Sequence, residues 1–149
     1  MAFTGSFICT SFKLQLLNGT HNLFTAGDTF RIALYSSSAS LSAATTVYGG
    51  TVGVTPDTNE VTGTGYTAGG VALTNVDPLS SGTTAYAQWA TPTFTTVTLT
   101  ARGALIFNTS KSNKAVCVID FGSDKVKAAA NLVVTMPTFD ATNALLRFA

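Results

Sequence analysis

Charged residues are scarce in this sequence. Asp, Glu, Lys and Arg make up 10% of its 149 residues, and the net charge at pH 7 is +1. An average protein has about 25% charged residues. The eight basic residues are scattered, whereas a nucleic-acid-binding face needs them concentrated, so we expect no nucleic-acid partner. Because net charge is a main source of solubility, a surface with so little charge is poorly protected against association. It would therefore tolerate being covered by neighbouring proteins.

Long apolar runs are also missing. None approaches the ~18 residues that a membrane-spanning helix needs, so we expect no membrane partner. The first residues, MAFTGSFICTSFK, lack the positive region that opens a secretory signal. We therefore expect a protein that is made and folded in a cytoplasm.

Residues that hold metals or act as nucleophiles are few. His21 is the only histidine, and Cys9 and Cys117 are the only cysteines, which is too small a set for the usual zinc sites. We expect both thiols to be reduced and buried, although the sequence leaves their pairing open. His21 follows an Asn-Gly pair and is predicted to be a turn residue. No Gly-x-Ser-x-Gly nucleophile elbow is present. We predict no catalytic residues, no metal and no enzymatic activity.

The segment EVTGTGYTAGG, residues 60–70, has four glycines and raises the question of a phosphate-binding loop. Its glycines do not have the Gly-x-Gly-x-x-Gly spacing, and no lysine lies between Lys13 and Lys111 to complete a P-loop. We predict no cofactor and interpret the segment as a loop or irregular edge. Its glycines would permit positive φ and close backbone approach. Tyr66, in its middle, is a candidate interface anchor.

Strand patterns dominate the rest of the chain. Alternating or continuous apolar runs separated by Ser/Thr/Gly-rich turns predict about eight short strands, at 29–35, 84–91, 94–101, 103–108, 114–122, 132–136 and 144–148, with a further strand-like stretch after the glycine-rich segment. The best hairpin spans 103–121 around the turn TSKSN. A single short helix is predicted over 11–17, ending at Asn18-Gly19. These elements predict an all-β fold, a β-sandwich or jelly-roll-like single domain over residues 1–149.

Two charged residues stand among apolar neighbours. Asp120 lies inside the run KAVCVIDFG, and Arg102 lies between Ala101 and Gly103. A buried charge is costly unless it is paired, so Arg102 and Asp120 are a candidate buried ion pair across adjacent strands. The alternative is that the two charges point separately to solvent or to a subunit boundary.

Six segments, spread in order over nearly the whole chain, carry a family resemblance: ICTSFKLQLLNGTHNL, TFRIALYSSSA, NEVTGTGYTAGGVAL, LTARGALIFN, KAVCVIDFG and ALLRFA. The chain resembles a family of small virion proteins of tailed bacteriophages. The resemblance implies a structural component of a phage particle, located in the virion after synthesis in the host cytoplasm. It implies no active site.

Three functions fit these observations. The first is a capsid cement or decoration protein, expected to be a homo-oligomer with three copies, that stabilises the head by bridging subunits of the major capsid protein. Its candidate anchors are Phe3, Phe7, Ile8 and Phe12, although the same residues could instead cap the protein's own core. The second is a tail- or fibre-associated virion protein. The third is a receptor- or glycan-binding module, with stacking residues drawn from Tyr66, Tyr86 and Trp89.

Overall fold

The computed structural model describes residues 3–149 as two antiparallel β-sheets and one short α-helix. The elements in chain order are β1 (Phe7–Ile8), α1 (Thr10–Leu17), β2 (Phe30–Tyr35), β3 (Val71–Ala72), β4 (Asn75–Ser81), β5 (Thr84–Trp89), β6 (Thr93–Asn108), a 3₁₀ turn (Thr109–Lys111), β7 (Lys114–Val133) and β8 (Leu146–Phe148). The predicted all-β class is confirmed. The helix predicted over 11–17 begins one residue earlier, at Thr10, and ends where expected.

The large sheet has the strand order β1-β7-β6-β2-β3, and the small sheet has the order β4-β5-β8. The inner faces of the two sheets share one hydrophobic core. Trp89 of the small sheet packs on Phe30 of the large sheet, with their ring centroids 5.1 Å apart. The apolar alternation of β2 and the continuous apolar run at the end of β6 are explained by this burial, because both strands lie in the middle of the large sheet.

The hairpin predicted over 103–121 is present, but its strands are longer than predicted. The runs at 94–101 and 103–108 form one continuous strand, β6, and β7 continues to Val133. The sequence GSDKVKAAAN in the second half of β7 has no strand alternation. The pairing there is broken by register shifts, and Ala129 has a positive φ of 49°. Because these bulges interrupt the alternation of side chains, a search for a period of two does not detect this part of the strand.

The sandwich is closed on one side and open on the other. On the closed side, the large sheet ends with β3 and the small sheet begins with β4, and only Leu73 and Thr74 separate these strands. On the open side, the edge strands are β1 and β8, which are far apart in the chain. Helix α1 follows β1 directly and buries Phe12 in the core. The open side is therefore where a surface groove can form.

Candidate functional site

An apolar groove lies at the open side of the sandwich. It is bordered by β1, by α1 and by strands β5 and β8 of the small sheet, and it has a volume of about 680 Å³. The side chains that line it are Ile8, Lys13, Leu16, Leu17, Leu23, Pro78, Ala85, Tyr86, Ala87, Arg147 and Phe148. Nine of these eleven are apolar or aromatic. Ligand sites in proteins occupy roughly 300–1,000 Å³ and are mostly apolar, so this groove has the size and lining of a binding site.

The helix supplies one wall of the groove because it has apolar residues on more than one face. Phe12 points into the core and is fully buried, whereas Leu14 is exposed and Leu17 is 87% exposed. An ordinary surface helix has a single apolar stripe and a polar opposite face. A leucine exposed to this extent next to an apolar groove has no role in the protein's own core. It is instead typical of a surface that another molecule covers.

The small sheet supplies the other wall through its edge strand β8. Phe148 is partly exposed and lines the groove beside Tyr86, whose ring makes an edge contact with Phe139. Leu79, on β4 of the same sheet, is also exposed. Exposed apolar side chains thus extend beyond the groove itself.

The two charged side chains that line the groove are both cationic. Lys13 lies on α1 and Arg147 on β8, and both are exposed. Within residues 3–149, neither forms an ion pair. The Arg147 guanidinium donates to the carbonyl oxygen of Thr142. No carboxylate lines the groove, so its electrostatic character is positive.

The structure places the predicted N-terminal anchors in different environments. Phe3 and Phe12 are buried in the protein's own core, which favours the alternative, a cap on the core, for these two residues. Phe7 and Ile8 are half-buried on β1, and Ile8 lines the groove. Sequence reasoning thus named two groove residues, Ile8 as an anchor and Tyr86 as a stacking residue, but missed the leucines of α1 and the residues of β8.

The aromatic residues considered for glycan stacking differ in how far they are covered. Trp89 is 1% exposed, and its indole nitrogen donates to Asn75 Oδ1 at 3.0 Å. Stacking on a sugar requires an open ring face, which Trp89 does not have. Tyr86 is 9% exposed and lines the groove, and Tyr66 is half-buried.

Tyr66 belongs to a buried hydrogen-bond network around the carboxylate of Glu60. Glu60 Oε1 accepts from the Tyr66 hydroxyl and the Gly69 backbone N–H, both at 2.7 Å. Glu60 Oε2 accepts from the Tyr48 hydroxyl at 2.8 Å and the Asp57 N–H at 2.7 Å. Four donors therefore satisfy a carboxylate that has no ion-pair partner among residues 3–149, which is how a buried charge is tolerated without a cation.

This network fixes the glycine-rich segment 60–70. The Tyr66 hydroxyl also accepts a hydrogen bond from the Leu34 N–H at 2.9 Å, and its ring stacks on Phe94. Burial raises the pKa of Tyr66, and the nearby Glu60 charge raises it further, so its hydroxyl remains a donor. Tyr66 is half-buried and its hydroxyl is used in internal contacts, so its role as an interface anchor stays a prediction.

The glycines of this segment act as predicted, through close approach and positive φ. Gly70 has a φ of 63°, and a Cβ atom there would overlap the carbonyl oxygen of Ile32. Arg31 donates through Nε to the carbonyl oxygen of Gly69 at 3.0 Å and through Nη2 to that of Gly70. The segment therefore packs directly against β2 through contacts that only glycine permits at Gly70.

His21 lies in a second buried network. Its Nε2 is 2.7 Å from Gln15 Oε1, and its Nδ1 is 2.8 Å from Asn108 Nδ2. Asn108 Nδ2 also donates to Asp28 Oδ2, so Asn108 presents its NH₂ group, Nδ1 of His21 accepts and Nε2 carries the proton. Burial lowers the pKa of His21, with Asp28 opposing and nearby lysines reinforcing this shift. The predicted turn histidine is a neutral side chain that joins α1 to β6.

The Arg102 and Asp120 side chains meet across β6 and β7, with Nε 3.0 Å from Oδ1. They are partly exposed, at 24% and 13%, so the pair lies at the sheet surface and not in the core. Asp120 also accepts from the Gly122 N–H at 2.8 Å, and this bond, aided by Arg102, lowers the pKa of Asp120 against a smaller opposing effect of burial. The pair stabilises the bulge that begins after Asp120.

Cys9 and Cys117 are free and buried, as predicted. Burial raises the pKa of Cys9 to about 11 and also raises the pKa of Cys117. Thiols with raised pKa values are poor nucleophiles and poor metal ligands at neutral pH.

Across residues 3–149, no group of three or more His, Cys, Asp or Glu side chains is placed to hold a metal ion. No helix in this part of the chain is long and apolar enough to cross a membrane.

Comparison of the chain with protein-family models, curated proteins and solved structures finds no match. The likeness to tailed-phage virion proteins therefore remains a prediction from the sequence.

Proposed function

We propose that this protein is a structural component of a bacteriophage particle, a cement or decoration protein that binds the major capsid protein and stabilises the head. The phage setting rests on the sequence resemblance. The observation that carries the binding role is the apolar groove between α1 and the small sheet, with Leu17 exposed beside it. Covering such a surface on a capsid would remove apolar area from water at roughly 25 cal/mol per Å².

The protein would stabilise the head by burying apolar surface against the capsid, without catalysing a reaction. A stable interface buries about 800 Å² on each partner, which is about a tenth of the 7089 Å² surface of this chain. The groove would form the centre of that interface, and the exposed Leu14 and Leu79 would extend it. Association as a homotrimer would present three such surfaces at once, so that modest single-site affinity becomes strong attachment through avidity.

Copy number and position in the virion test this proposal. We expect quantitative mass spectrometry of purified particles of the encoding phage to find the protein in many copies, in a fixed ratio to the major capsid protein. We expect a particle reconstruction to place it on the outer head surface. A small symmetric set of copies at the tail would overturn the decoration role in favour of the tail-associated alternative, and absence from the particle would overturn the virion role itself.

A further inference from the structure

The groove combines an apolar floor with an unpaired strand edge. β8 is hydrogen-bonded to β5 on one side only, as the last strand of the small sheet. It has three residues, and two of them, Arg147 and Phe148, line the groove. An exposed strand edge presents free N–H and C=O groups that an extended peptide can pair with. A segment that lies along β8 would thus contact the groove with its side chains while its backbone extends the small sheet.

A comparison with the open edge of β7 shows what favours β8 as an acceptor. The second half of β7 also has no neighbour on its outer side, since β1 pairs only with Cys117 and Val118. That edge is interrupted by bulges and carries Lys125 and Lys127 at alternate positions. Bulges and lysines are the usual means by which an edge is protected from pairing. The pairing of β8 with β5 has no register shift along its three residues.

The charges around the groove restrict the partner segment. Lys13 and Arg147 are its charged lining residues, one on each wall. The Arg147 charge contributes to lowering the pKa of Asp140, but the Asp140 oxygens accept mainly from Thr142 and Asn143, and Asp140 does not line the groove. An acidic side chain on the bound segment would therefore meet two cations and no carboxylate, whereas a basic one would meet only repulsion.

From these observations we infer that the groove binds an extended apolar segment of the partner protein that carries an acidic side chain and pairs with β8. This inference rests on the proposed function, because it describes how the binding surface would recognise the capsid. At ~3.3 Å per residue, three to four residues of the segment would pair along β8. Apolar side chains on alternate positions would fill the groove, and the acidic side chain would lie between Lys13 and Arg147.

Selection from a library of random linear heptapeptides tests the inference without a known partner. We expect the purified protein to enrich peptides with alternating apolar residues and at least one Asp or Glu. The double charge reversal Lys13→Glu with Arg147→Glu should weaken the best peptide roughly tenfold. The matched control Lys127→Glu, on the β7 edge, should leave its affinity unchanged. Lys13 and Arg147 are exposed, so circular dichroism should show that the double variant is folded, and the control is checked in the same way.

Backbone pairing has its own test in the same peptide. Two forms are made, with N-methyl groups on odd-numbered or on even-numbered amides. Because neighbouring amides of a strand point to opposite edges, one form should lose at least roughly tenfold in affinity and the other should keep most of it. Equal affinity of both forms with the parent peptide would overturn pairing with β8.

Three other results would overturn the inference. The first is that the selected peptides contain no acidic residues, or that the double charge-reversal variant still selects acidic peptides. The second is saturable binding of palmitate in the groove with no selected peptide competing, which would assign the groove to a fatty acid. The third is a self-association that Leu17→Asp abolishes, which would assign it to a second copy of the chain. None of these depends on finding the protein in the virion, so the inference and the proposed function fail separately.

Discussion

Glu60 is the residue whose environment is most tightly specified. Its carboxylate is buried and accepts four hydrogen bonds, two from tyrosine hydroxyls and two from backbone N–H groups. In Glu60→Gln the side chain keeps its shape, but its NH₂ group faces donors and leaves at least one of them unsatisfied. We expect the free energy of unfolding to fall by about 1–3 kcal/mol, measured by urea denaturation. Asp124→Asn, at an exposed position, is the control and should change it by less than about 0.5 kcal/mol.

His21 gives the protein a specific pH dependence. The folded protein binds a proton at His21 less readily than the unfolded chain, whose His pKa is about 6.5. The contribution of neutral His21 to the free energy of unfolding is therefore fully present above about pH 6.5. It is lost as the pH falls through the pKa of His21 in the folded protein, which is the lower of the two. The aspartates with lowered pKa values, such as Asp28, lose their contribution only below about pH 4. We expect unfolding free energy to decrease between pH 7 and pH 5, and to decrease less in His21→Gln. An equal decrease in both proteins would contradict this assignment.

At the scale of the element, the glycine-rich segment 60–70 needs glycine for close contact with β2 as well as for its positive φ angles. Gly70 and Gly82 both have positive φ, at 63° and 59°, but a Cβ atom at Gly82 meets nothing within 4 Å whereas one at Gly70 overlaps the Ile32 carbonyl. We expect Gly82→Ala to cost about 1–2 kcal/mol through conformation alone. Gly70→Ala should cost about 3 kcal/mol or more, since β2 must also shift. Thermal denaturation of the two variants measures the difference, and equal losses would show that the close approach is unimportant.

The elements also show which features a single sequence could predict. β2 and the helix were predictable because their apolar residues repeat at the period of a half-buried strand and at i, i+4 steps. The second half of β7 was not, because bulges shift its side chains out of alternation. The hydrogen-bond partners of Glu60 are distributed over residues 48–69 at spacings that follow no periodic pattern. The groove was not predicted as a unit because it is built from β1, α1, β5 and β8, which are distant in the chain and meet only through tertiary folding.

At the scale of the whole molecule, the low charge, the open side of the sandwich and the apolar groove give the same interpretation. The chain buries one core between its sheets, yet it leaves leucines and a phenylalanine exposed around the groove. Exposed apolar side chains are ordinary when they are scattered singly and informative when they surround a concave surface. Under the proposed function, α1 and β8 would supply the binding energy, whereas the glycine-rich segment would contribute to stability.

Binding of the Leu17→Asp variant to phage heads that lack the protein tests most directly whether the groove is the surface that binds the capsid. Leu17 is 87% exposed and contributes to the groove, so the substitution should leave folding intact while it places a charge in the interface. Val54→Asp, at a similarly exposed site that does not line the groove, is the matched control. We expect cosedimentation with heads to fall at least roughly tenfold for Leu17→Asp, which corresponds to about 1.4 kcal/mol, and to be unchanged for Val54→Asp. Equal binding of the two variants would contradict this expectation.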